Sequence, residues 1–283
     1  YDVLNYGTFT HYLQRYLDEN RRSTAEWDVV FSARGNFIEP HTGRVIPLGT
    51  LQIRGYIEDC DDATKHAAAP IRVNADNVAQ TCGPIGRFGN VLFCEKEGFL
   101  PLFESVHLAE RYDLAIMSTK GMSNTSARSL LDQFTRHGVR VYILHDFDIS
   151  GFSIANTLIR STWRFRFKRE IDAWDLGLRL KDAIDYDLQP ENVAIGEGVH
   201  TRDKICTRLR RQEVNAEEID FLVGPWDDDR REFGQARRIE LNAFTSPDLI
   251  AWIEQKLQAH GVGKIVPDAA MLFAGYKRAT EES

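Results

Sequence analysis

Only four of the 283 residues are cysteine (Cys60, Cys82, Cys94 and Cys206), and no two form a CxxC pair. That scatter argues against a structural zinc site and fits a reducing cytoplasm. The eight histidines contain no HxxxH or HExxH pairing, which removes the usual helical histidine metal sites. No apolar run approaches the roughly 20 residues a membrane helix needs, and no secretory signal opens the chain. A basic excess is also missing. The formal charge is −7, which is not the profile of a protein that coats DNA, although a local basic strip can still bind phosphates. There is no initiator Met at Tyr1, so the chain reads as a fragment with an upstream part. What is present is an ordinary apolar fraction of 43%. That is enough to bury a core in two modest domains or in one domain with appendages.

Periodicity divides the chain near residue 75. Phe9, Tyr12, Leu13, Tyr16 and Leu17 recur at helical steps with core-like spacing. Trp27 to Ile38 predicts a hairpin turning at Arg34-Gly35-Asn36, followed by a second apolar run from Val45 to Leu51. Cys60 to Pro70 has no period and reads as a linker. Residues 1–75 are therefore expected to form a small α+β segment, either the tail of a winged-helix module or a capping subdomain. From residue 89 short apolar runs (Asn90–Cys94, Asp113–Met117, Val139–Leu144) alternate with helical stretches. This predicts an α/β domain over 76–283, a Rossmann-like parallel sheet flanked by helices with a C-terminal extension. Ligand sites in such sheets lie beyond the carboxyl ends of the strands.

Two acidic clusters stand at those positions: Glu95-Lys-Glu97 after the first run and Asp146-Phe-Asp148 after the third. Asp146 and Asp148 are two residues apart, so in extended geometry their carboxylates project to one side. Such oxygens suit a hard cation like Mg²⁺. Glu95 would complete the site or move a proton, with Glu97 in support. Gly151 would turn the chain into a helix whose N-terminus favours phosphate. A plainer reading exists, because acidic residues often cap the helix that follows a strand. A Glu after one strand and DxDxxG after another, with a strand and helix between, is much more specific than DxD alone.

Three stretches carry a family resemblance. Val91-Leu-Phe-Cys-Glu95-Lys-Glu97-Gly-Phe resembles the first Toprim motif in its topoisomerase VI A-subunit form. Ser118-Thr-Lys120-Gly121-Met-Ser-Asn-Thr-Ser-Ala-Arg128 is similar to that family's glycine-containing segment. Tyr142-Ile-Leu-His-Asp146-Phe-Asp148-Ile-Ser-Gly151 resembles its DxDPxG motif, and Arg238-Ile-Glu240-Leu-Asn242-Ala is a fainter likeness to a late segment. The resemblance implies a Toprim fold with Glu95, Asp146 and Asp148 as catalytic residues and as ligands of Mg²⁺, with Mn²⁺ as a substitute. It extends to the meiotic double-strand-break protein and to the Toprim nuclease of Wadjet-type plasmid defence. The implied partners are double-stranded DNA, a second copy in a homodimer, and a GHKL ATPase B subunit or a condensin-like complex. Ile149 stands where the family has Pro. No Arg-x-x-Tyr-Tyr pattern occurs among the early Tyr6, Tyr12 and Tyr16, so the cleavage tyrosine is expected upstream of this chain.

Phosphate contacts are expected from Lys120 and Arg128, which read equally well as surface cations. The run Arg160 to Arg169, with Arg164 and Arg166, interleaves charge and rings. It suits a strand at a DNA groove or a half-buried strand with a solvated basic face. Asp227-Asp228-Asp229 reads as a polar loop rather than a second metal cluster. The expected function is Mg²⁺-dependent cleavage and rejoining of DNA strands. The alternatives are a Toprim nuclease and a non-catalytic DNA-binding assembly subunit.

Overall fold

The computed structural model describes residues 6–40, 44–61, 88–119, 125–161, 165–195, 199–230 and 232–264. At its centre four parallel strands run side by side: β4 (Leu114–Ser118), β3 (Asn90–Cys94), β5 (Arg140–Leu144) and β6 (Ala173–Asp175). The apolar runs of β3, β4 and β5 are continuous because both faces are covered. Val91, Phe93, Val141 and Ile143 point into one core with helices α2 (Thr50–Asp61) and α5 (Thr125–Arg136). Leu92, Cys94, Tyr142 and Leu144 point into the other, which α8 (Val199–Arg211), α9 (Ala216–Val223) and α10 (Ser246–Ala259) help to fill. The fold is mixed α/β with a mostly parallel, Rossmann-like sheet, as the alternating pattern implied. No helix among the described residues is long and apolar enough to cross a membrane.

The N-terminal part differs from expectation. Residues 27–34 form no strand, and the pairing lies further on. Strand β1 (Asn36–Ile38) is antiparallel to β2 (Val45–Pro47) on one side and to β4 on the other, completing the order β2-β1-β4-β3-β5-β6. The described residues on the two sides of the expected boundary near 75 thus share one sheet. The boundary itself falls in 62–87, outside the described residues, with most of the expected linker. Helix α1 (Tyr6–Glu19) contains no buried side chain among those described. Tyr12 is 56% exposed and Tyr16 stacks on Trp27 at 5.7 Å, so their spacing does not mark a core face.

Two short helices, α3 (Leu100–Ser105) and α4 (Leu108–Tyr112), follow β3, separated because His107 takes a left-handed conformation at φ 51°. Helix α6 (Ile149–Ile159) begins straight after the second acidic cluster. Helix α7 (Leu180–Asp185) follows β6. No strand forms over the described part of 160–169. The short pair Trp226–Asp227 and Glu232–Phe233 encloses the Asp227–Asp229 run. There Asp227 accepts hydrogen bonds from the Asp229 and Arg230 amides, a loop-closing role that matches the polar-loop reading.

Candidate acidic site at the carboxyl edge of the sheet

Parallel register brings the two acidic clusters together. Cys94 is paired with Leu144, so the chains leave β3 and β5 at the same level, and Glu95 and Asp146 follow within two residues of that pair. Beyond β5, Phe147 and Ile239 exchange backbone hydrogen bonds of 2.9 and 3.1 Å, which carries residues 238–241 to the same edge. The buried Asp146 carboxylate is then held at two points. Its Oδ1 accepts the Leu241 amide at 2.8 Å, its Oδ2 faces the Lys96 ammonium at 2.8 Å, and Lys96 reaches on to Glu240 at 2.9 Å. Glu240 also pairs with Arg238 at 2.9 Å, and Arg238 with Glu191 at 2.8 Å.

Asp148 occupies the N-cap of α6, its Oδ1 accepting the Gly151 amide at 2.5 Å. The capping reading therefore holds for one of its oxygens. Glu95 is half-buried and makes no hydrogen bond or ion pair among the described residues. Burial pushes its pKa above the ordinary carboxylate value, and the neighbouring Asp146 and Asp148 charges push it the same way. Asp148 is raised too, by burial and by Asp146, against the opposing Gly151 hydrogen bond. Lys96 behaves as the resident counter-charge. Burial opposes its ionisation, but its bonds to Asp146 and Glu240 outweigh that and raise its pKa, while Lys96 holds Glu240 below the usual range.

Beneath the acidic loop, His145 is completely buried. Its Nδ1 lies 2.7 Å from the Asp146 carbonyl and its Nε2 lies 3.0 Å from Asp175 Oδ1 at the end of β6. Both partners are acceptors when Asp175 is ionised, so both ring nitrogens are called on to donate. Burial disfavours the charged ring, yet the Asp175 bond prevails and the pKa of His145 is raised. The converse holds for Asp175. Burial pushes it up, the His145 bond pulls it down, and the net shift is downward. Gly177 leaves room for the ring, because a Cβ there would stand 2.1 Å from His145 Nε2.

The donor set is one of carboxylate oxygens, suited to a hard divalent cation. Cys94 adds nothing softer, since burial pushes its thiol up to about 12. Glu95 makes no ion pair among the described residues, and the pull of Lys96 and His145 on it is outweighed by burial and the two neighbouring carboxylates, which is the electrostatic condition a cation relieves. The grouping is nevertheless open: among the described residues no three His, Cys, Asp or Glu side chains are gathered closely enough to hold a metal.

Of the expected phosphate contacts, Lys120 and Arg164 lie outside the described residues. Arg128 is corrected. It is 2% exposed, its guanidinium lies 5.1 Å from the centroids of both Phe165 and Phe167, and it donates to the Arg160 carbonyl. The apolar face of α5 turns it inward, where the rings and the carbonyl use its charge. Arg166 is 65% exposed and stands 4.0 Å from Asp18. Glu97 accepts from Asn36 Nδ2 at 3.1 Å and so ties β1 to this edge. Sequence reasoning gave no role to Lys96, Glu240, His145 or Asp175. Lys96 and Glu240 stood within quoted motifs, but their separation by 144 positions hid their pairing.

A family model described as "Protein of unknown function C-terminus (DUF2399)" matches residues 87–231. The matched span contains Glu95, Lys96, His145, Asp146, Asp148 and Asp175, and it stops short of Glu240. No curated protein matches the chain significantly. With half of its length covered by that model, the chain belongs to the DUF2399 family.

Proposed function

We propose that the chain is a Toprim-type, Mg²⁺-dependent DNA strand-cleaving subunit. The observation that carries this reading is that Glu95, Asp146 and Asp148 stand at the carboxyl edge of adjacent parallel strands, near enough for the Asp146 and Asp148 charges to act on Glu95, which is held in no ion pair among the described residues. Glu95, Asp146 and Asp148 would hold the ion. Mg²⁺ at such a site supplies Lewis-acid stabilisation of charge on a phosphodiester. The chain's own residues account for the rest. Asp146 is oriented by the Leu241 amide, and Asp148 by the Gly151 amide. The His145–Asp175 pair supports the loop between them from below. Lys96 neutralises Asp146 until a stronger cation competes. Because burial raises the pKa of Glu95, it is suited to take or give a proton nearer neutrality than an exposed glutamate.

Cleavage of supercoiled plasmid by the full chain tests the reading. Nicked or linear product is expected with Mg²⁺ or Mn²⁺, none with chelator, and at least a hundredfold less from Glu95→Gln/Asp146→Asn/Asp148→Asn. Cutting that survives chelation or the triple substitution removes the acidic site as its source. Products with free ends identify a nuclease. A protein–DNA adduct identifies the transesterifying, topoisomerase-like version, for which Tyr12 and Tyr16 are accessible tyrosines.

A further inference from the structure

The outer face of helix α8 (Val199–Arg211) carries cations that the rest of the fold does not use. The helix is amphipathic: Cys206 and Leu209 are buried in the core, while His200, Lys204, Thr207, Arg208 and Arg211 follow one another up the opposite face. With Asp203 they line a surface hollow of about 410 Å³. Among the described residues, Lys204, Arg208 and Arg211 make no hydrogen bond or ion pair. Several cations elsewhere are engaged. Arg111 holds Glu254, Arg179 holds Glu218, Lys256 holds Asp182 and Arg238 holds Glu191. Arg208 and Arg211 lie in the last turn, where cations complement the helix dipole, but Lys204 lies outside it and needs another reason. On a chain of net charge −7, a row of uncompensated cations is a local reversal of sign.

From the geometry we infer that this face of α8 is the docking strip for the phosphate backbone of duplex DNA, an inference that rests on the DNA-directed reading above. From His200 to Arg211 the row extends about 16 Å at 1.5 Å per residue. That is enough to meet several consecutive phosphates. No Phe, Tyr or Trp stands on the strip, and His200 is its one ring, which disfavours single strands, because those are held by stacking of successive bases. Nor does it offer an apolar anchor of the kind a protein partner would need at its centre. The position also fits. Gln212 and Glu213, just past the helix, share a cavity of about 140 Å³ with Phe152, Asn156 and Arg160 of the α6 region and with Asp175. The basic end of α8 thus lies against the helix that Asp148 caps, and beside the carboxylate that holds His145.

Fluorescence anisotropy of a labelled 30-base-pair duplex with the full chain, in chelator and across 50–200 mM salt, tests the strip. Lys204→Glu/Arg208→Glu/Arg211→Glu and the same three positions changed to Gln are compared, with thermal melts confirming that both fold. Each cation lost removes roughly 0.9 from the slope of log K against log salt. The slope should therefore flatten by about 2.7, and affinity at 50 mM salt should fall at least tenfold in both variants. Parent-like affinity and slope in the variants would overturn the inference, as would a parent that fails to bind duplex or binds a single strand equally well. The cleavage reading fails separately. A parent that binds through the strip and leaves plasmid intact with Mg²⁺ keeps the strip and loses the chemistry. A parent that cuts while the strip variants bind unchanged does the reverse.

Discussion

Single residues at the acidic edge act against stability, which is what a site poised for a ligand does. Glu95 and Asp148 have folded-state pKa values raised by burial and by their neighbours. A raised carboxyl contributes stability fully below its unfolded value, near pH 4, and loses it as pH rises through the folded value. At neutral pH only the repulsion is left. Glu95→Gln should therefore raise the melting temperature of the metal-free protein at pH 7 by about 1–2 °C, a fraction of a kcal/mol for a half-exposed group. The difference should shrink toward zero near pH 4. Melts across pH 4–8 in chelator read this directly, and a Glu95→Gln protein less stable than its parent at pH 7 would mean that Glu95 has a structural partner. The placement of Glu95, Asp146 and Asp148 at the carboxyl edge was legible in the sequence because each lies within four residues of the end of an apolar run. Their partners were not, because Lys96–Glu240 and His145–Asp175 are joined only by the fold. Arg128 misled for a related reason. A cation on an amphipathic helix looks solvated until the rings of Phe165 and Phe167 are seen to cover it.

Among the elements, the parallel strands β3, β4 and β5 and their helices could be read from continuous apolar runs, because a strand buried on both faces carries that pattern. The edge of the sheet could not. Strand β6 has three residues and strand β1 three, too few for a period to show. Arg34-Gly35-Asn36 was correctly marked as special but for the wrong reason. Gly35 does not turn a hairpin between flanking strands. It lets the chain, at φ 84°, pass against β4, where a Cβ would come within 2.0 Å of the Ser118 carbonyl oxygen. Gly138 has φ 69° with open space around it. Gly138→Ala should therefore cost only the left-handed backbone term, about 1 kcal/mol, whereas Gly35→Ala adds displacement of a strand and should cost about 3 kcal/mol or more. Urea denaturation of the two variants compares them, and equal losses would show that β1 is not packed on β4 in solution.

On the scale of the whole molecule, sign of charge is sorted by place. An acidic chain gathers carboxylates at the carboxyl edge of its sheet, balances Asp146 there with Lys96, and keeps a row of unpaired cations on α8. The net charge of −7 concealed this separation, since a sum over the chain does not say where the charges stand. The central claim is that the edge holds one divalent cation on Glu95, Asp146 and Asp148. Calorimetric titration of Mn²⁺ into the full chain measures it. One ion per chain should bind, with a matching rise in melting temperature from preferential binding to the folded state. Asp146→Asn/Asp148→Asn should lose both the heat and the rise. A binding isotherm in that variant indistinguishable from the parent's would remove the carboxylate cluster as a cation site.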